Sequence, residues 1–181
     1  MSFIKENLSV VTRLFITHIG MAVFGLVIFG ATNMMGDTTM LLTSVLSAGF
    51  YAVLVYTTMW EYGAKDKPAI DGGRLHNGVL HGFGVSMLAE LPFILLAVVY
   101  MLGTCVEAIA SAGAVCYTIL VMAHSCFTGI AMFVRKVLEL EILVGPIYIL
   151  SSVLLSAVAA FGYRMGSKEQ RILPQKNAQK K

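Results

Sequence analysis

Four long apolar runs constrain this chain more than any other feature. A helix needs about 20 predominantly apolar residues to cross a hydrocarbon core of about 30 Å. The segments from about Leu14 to Met34, Met40 to Trp60, Val79 to Gly103 and Ile142 to Tyr163 all reach that length. Composition agrees, because only 13% of the residues are charged, 57% are hydrophobic and the mean hydropathy is +0.80. An ordinary soluble domain carries roughly 25% charged residues. A soluble fold is therefore excluded, and so is disorder, which requires low apolar content and abundant charge. Residues 1–163 read as one all-α domain, a polytopic integral membrane helix bundle in contact with the lipid bilayer, and 164–181 as a basic cytoplasmic tail. Lys5 and Arg13 ahead of the first run resemble the start of a signal peptide. That run is longer than a signal core of about 7–15 residues, so it is expected to stay as an uncleaved span.

Residues 104–141 leave two topologies open. Ala108 to Val134 is apolar, and Arg135, Lys136, Glu139 and Glu141 follow. A single crossing would give five spans, an outer tail and almost no charge bias. A hairpin or re-entrant pair with its turn near Ala123-His124-Ser125-Cys126 returns the tail to the inner side. Of 13 Lys and Arg residues, all but Arg135 and Lys136 then lie inside, as the positive-inside rule requires. This arrangement, with four clear spans plus the pair and both termini cytoplasmic, is the preferred expectation. Tyr56, Trp60 and Tyr62 mark the inner boundary of the second span, and Glu61 to Arg74 reads as a solvated connector with turn chemistry.

Inside the bilayer the informative residue is Glu90, near the middle of the third run. Even low insertion scales charge about 2.5–3.5 kcal/mol for an acid there, so it is expected to face the bundle and to be protonated or paired. Gly82, Ser86 and Glu90 share a face at a spacing of four, where a neighbouring helix can approach closely. Pro92 removes a backbone donor beside the acid and predicts a kink. Glu90, Ser86 and Pro92 are thus the candidate substrate-binding residues. His18 joins them as a partner or proton relay, although it reads as shallower than the acid. Replacing Glu90 by leucine is expected to leave insertion intact, since a costly polar group is removed.

Other features point to packing. Ser44, Ala48 and Ala52, and likewise Ser152, Ser156 and Ala160, are small residues at helical spacing. Cys105, Cys116 and Cys126 read as small buried hydrophobes. A metal site from His124, Cys116 and Cys126 is conceivable by ligand type but matches no recognised spacing, and His76 and His81 lie near the inner mouth of the third span. No phosphate loop, zinc-protease helix, nucleophile elbow or paired intramembrane acids occur in the sequence. No metal, cofactor, enzyme activity or nucleic-acid partner is expected. The basic tail is expected to lie along the anionic inner leaflet.

The stretch Trp60-Glu61-Tyr62-Gly63-Ala64-Lys65-Asp66, together with Tyr163-Arg164-Met165-Gly166, resembles an uncharacterised family of small multi-pass bacterial membrane proteins. The resemblance implies a bacterial cytoplasmic membrane with both ends inside, and no activity. The leading functional expectation is a small solute transporter or the membrane subunit of one. With no internal repeat visible, an alternating-access path would call for a second copy or a partner subunit. The competing expectation is a non-transporting interaction, assembly or sensing subunit.

Overall fold

The computed structural model describes residues 3–74, 78–139 and 144–170. His76, residues 140–143 and the basic tail from 171 onward lie outside the described residues. Among the described residues six helices follow in order: α1 Phe3–Thr32, α2 Asp37–Asp71, α3 Val79–Cys105, α4 Ala110–Ala123, α5 Ser125–Leu138 and α6 Val144–Ser167. A single 3-10 turn, Glu107–Ile109, precedes α4. The helices α1, α2, α3 and α6 are each long and apolar enough to cross a membrane. Their outward faces carry exposed Ile16, Val27, Leu46, Leu95 and Leu154, as lipid-facing surfaces do.

Side-chain contacts fix which helix ends lie together. Near the start of α1, Asn7 accepts a hydrogen bond from Tyr62 in the last third of α2 at 2.5 Å. His81 at the start of α3 packs against Phe3, Tyr62 and Tyr163. Trp60 donates to the carbonyl of Gln170 at 2.7 Å, and Lys67 pairs with Glu169 at 2.7 Å. Both ends of the described chain therefore sit at one end of the bundle. At the opposite end, Gly36 reverses the chain between α1 and α2 with a φ of 98°, which an L side chain rarely adopts. Asp37 there pairs with Lys136 of α5, while Gly113 of α4 touches Gly103 of α3.

The α4–α5 pair thus starts and finishes at the same end. It is bent by 117° at His124, and its apex reaches the bundle interior. The result is a re-entrant pair rather than a fifth crossing, with its turn inside the predicted tetrapeptide. Non-crossing backbone of this kind is tolerated where protein surrounds it. The surroundings are specific: Ser125 donates to the carbonyl of Ala22 at 2.6 Å, Cys126 to that of Met21 at 3.1 Å, and Ser44 to that of Cys126 at 2.6 Å.

Two expectations need correction. The connector expected from Glu61 onward is helical as far as Asp71, because its polar residues find partners on other helices. Glu61 pairs with Arg13 at 3.0 Å, and Asp66 accepts from the Tyr163 hydroxyl at 3.0 Å. The last helix likewise passes Tyr163 and ends at Ser167. Small residues make this possible. Gly63 and Gly166 are the points where the α2 and α6 backbones meet, and a Cβ on either would collide with a carbonyl of the facing helix, Tyr163 or Trp60.

The re-entrant topology has a direct consequence. In a Cys105→Ala background, a cysteine placed at Lys168 and one placed at Lys136 are expected to react with a membrane-impermeant maleimide from opposite sides of the membrane. Reaction of both from the same side would contradict the arrangement.

Candidate functional site

Four helices and the re-entrant apex bring their polar side chains to one place. Glu90 of α3, His18 of α1 and His124 at the α4–α5 break are 4%, 2% and 2% exposed, so none of them is hydrated from outside. A polar group in that position needs partners within the protein. His18 Nδ1 lies 2.9 Å from Glu90 Oε1, and the Tyr51 hydroxyl of α2 lies 2.9 Å from the same nitrogen and 3.3 Å from the same oxygen. On the other carboxylate oxygen, Ser152 of α6 donates to Oε2 at 3.1 Å. His124 Nε2 stands 3.2 Å from Ser152 Oγ and 3.9 Å from Glu90 Oε2.

Proton positions follow from which atoms can only accept. His18 Nε2 is 3.2 Å from the carbonyl of Ala123, a group left without an intrahelical donor at the end of α4. Since a carbonyl cannot donate, Nε2 carries the ring proton, and the lone pair of a neutral His18 points from Nδ1 toward Glu90. Two lone-pair atoms 2.9 Å apart repel unless a proton or another cation lies between them. The Tyr51 hydroxyl has one proton and serves only one of the two at a time. His124 is less constrained, because its Nδ1 is buried without a hydrogen-bond partner. With the Ser152 proton given to Glu90, the 3.2 Å contact has His124 Nε2 donating to Ser152 Oγ.

The walls are aromatic. Phe93 stacks on the His18 ring at a centroid distance of 4.0 Å and meets the His124 ring edge-on at 5.5 Å. Tyr148 lies tilted against His124 at 5.3 Å. These contacts hold both imidazoles in a low-dielectric environment where charge interactions are strong.

Of the residues singled out from the sequence, Glu90 and His18 are joined directly. His18 is no shallower than the acid. The helix carrying it begins at Phe3, well before the apolar run, and its centre rather than its start meets α3. Ser86 is buried one turn away and receives a hydrogen bond from Ser156 at 3.3 Å, so it lines the α3–α6 seam without touching the carboxyl group. Pro92 is exposed on the outer face of α3, which continues unbroken past it; the ring takes no part in the cluster.

Tyr51, His124 and Ser152 complete the cluster. The sequence marks Tyr51 only as a polar side chain inside an apolar run, Ser152 as a packing residue, and His124 as a conceivable metal ligand with Cys116 and Cys126. Cys126 is committed to the Met21 carbonyl, and neither it nor Cys116 approaches His124 as a co-ligand. Among the described residues, the donor atoms of His18, Glu90 and His124 all lie within 4.8 Å of one another. A scan against protein-family models and searches of curated proteins and solved structures found no match to this chain.

Proposed function

We propose that the chain is a small transporter, or the membrane subunit of one, that takes a cationic solute at the cluster around Glu90. One observation carries this reading: a carboxyl group, two imidazoles and a tyrosine hydroxyl converge inside a bundle of apolar helices, and among the described residues no lysine or arginine joins them. Intramembrane acids are costly and commonly mark ion or substrate pathways. The α4–α5 pair adds a backbone break at the same depth, a feature that membrane transporters use to build substrate sites. The favoured setting is the cytoplasmic membrane with both termini inside, since all but two of the 13 basic residues then face the cytoplasm. A second copy or a partner subunit would complete a translocation path.

The competing reading is a non-transporting assembly or sensing subunit. It is favoured by the hydrogen bonds that already close the cluster around Glu90 without a guest. The two readings separate on Glu90→Gln. Glutamine can donate to His18 Nδ1 and accept from Ser152, so the variant is expected to fold like the parent while losing the charge. Thermal unfolding in detergent with sodium, potassium, ammonium, tetramethylammonium and divalent cations should show at least one that stabilises the parent and leaves Glu90→Gln unchanged. A parent indifferent to all of them, with Glu90→Gln equally stable, favours the assembly reading.

A further inference from the structure

We infer that the cation held by this cluster is a first-row transition-metal dication, bound by His18 Nδ1, the Glu90 carboxylate and His124 Nε2. The inference rests on the cation-site reading above and names its ligand class. Imidazole nitrogens are poor partners for alkali and alkaline-earth ions, whose ligands are oxygens, and good ones for zinc, copper, iron and nickel. Two imidazoles and one carboxylate form a donor set that zinc and non-haem iron sites use, with positions left open for further ligands.

The geometry is close to what such an ion needs. Nitrogen and oxygen ligands sit about 2.0–2.2 Å from zinc, so donors in a tetrahedral arrangement stand about 3.3–3.6 Å apart. Here Nδ1 to Oε1 is 2.9 Å, Nε2 to Oε2 is 3.9 Å, and no pair of donors exceeds 4.8 Å. Side-chain shifts of about 1 Å therefore close the set around one ion. The Tyr51 hydroxyl and Ser152 Oγ stand next to these donors and are placed to fill a fourth or fifth position.

The surroundings of His18 also fit a ligand. Metal-bound histidines characteristically donate their other ring N–H to a carbonyl or carboxylate, which fixes the tautomer and aims the lone pair at the metal. The Ala123 carbonyl does this for His18 Nε2 at 3.2 Å. His124, without a partner on Nδ1, is free to move its proton there and offer Nε2. A bound ion would tie the apex of the re-entrant pair to α1 and α3, so its presence should fix the position of that pair.

The test uses the full chain purified in detergent and freed of metal with a chelator, with cobalt(II) and zinc(II) chlorides as probes. The expected result is one equivalent of cobalt bound, with visible ligand-field bands, zinc displacing cobalt, and magnesium and calcium failing to compete. Affinity is expected to drop by on the order of 100-fold or more in His18→Gln and in His124→Gln. X-ray absorption on the zinc-loaded parent supplies a readout independent of variant folding, and two imidazole ligands with oxygen and no sulfur are expected.

Sulfur ligation, a single imidazole, or cobalt binding that survives the double variant His18→Gln/His124→Gln would overturn the assignment by placing the metal elsewhere. If sodium, potassium or an organic cation stabilises the parent through Glu90 while cobalt and zinc do not bind, the metal assignment falls and the cation-site reading stands. If no cation of either kind binds, both fall.

Discussion

Replacing Glu90 by leucine is expected to leave the chain inserted in the membrane but to destabilise the folded bundle by about 3 kcal/mol, the upper end of what leaving buried polar groups without their partner costs. The apolar side chain raises the hydrophobicity of α3, so insertion is not impaired. What is lost is the acceptor on which Tyr51 and Ser152 converge and against which His18 and His124 are set. Individual hydrogen bonds between membrane helices average only about 0.6 kcal/mol, because the unfolded chain in the bilayer finds other partners. Loss of several contacts at one buried point nevertheless adds up to the larger figure. Glu90→Gln, which restores a donor and an acceptor in the same place, is expected to stay within about 1 kcal/mol of the parent. Unfolding in mixed micelles of increasing SDS content measures both. A leucine variant as stable as the parent would mean that the cluster contributes nothing to holding α1, α3 and α6 together. The sequence alone supports only the first half of this expectation, since it shows the cost of burying the acid without showing what the acid holds.

The second large effect is steric. Gly63→Val and Gly166→Val are each expected to cost about 3 kcal/mol or more, at the upper end of overpacking penalties. In both places the added Cβ runs into a backbone carbonyl oxygen of the facing helix. A flexible side chain could move aside, whereas a carbonyl in a helix moves only with the helix. Gly20 supplies the control, because nothing lies within 4 Å of a Cβ placed there. Gly20→Ala is expected to be neutral, or stabilising by up to about 1 kcal/mol through its better helix propensity. The same unfolding measurement distinguishes them, and equal behaviour of Gly63→Val, Gly166→Val and Gly20→Ala would remove the close α2–α6 contact as a determinant of the fold.

The spans were legible because length and apolarity are local properties. Any stretch such as Val79 to Gly103 has to satisfy its backbone hydrogen bonds within itself once surrounded by lipid, and a helix is the solution open to a single segment. The re-entrant pair was legible for a related reason. Its charged flank at Arg135 and Lys136 and its weak centre at Ala123 to Cys126 are both written in consecutive residues. Glu90 could be singled out because one acid in a long apolar run is conspicuous wherever the helix goes.

Its partners could not be found in this way. His18 and Glu90 are separated by 72 positions, and nothing near His18 in sequence records the depth at which α1 meets α3. That depth is set by where α1 begins, by the glycine contacts that let α6 close on α2, and by the Ser125 and Cys126 hydrogen bonds that seat the apex of α4–α5 against α1. Glu61 to Asp71 shows the same division: its composition is that of a turn, and its helix exists because Arg13 of α1, Tyr163 of α6 and Glu169 just past α6 answer its charges and polar groups from elsewhere in the fold. The sequence by itself determined that this chain is a membrane-type helix bundle with a costly acid in its middle. The tertiary structure decided that two histidines, a tyrosine and a serine surround that acid, because a side chain's burial cost depends on its own chemistry, whereas its coordination depends on the packing of helices distant in sequence.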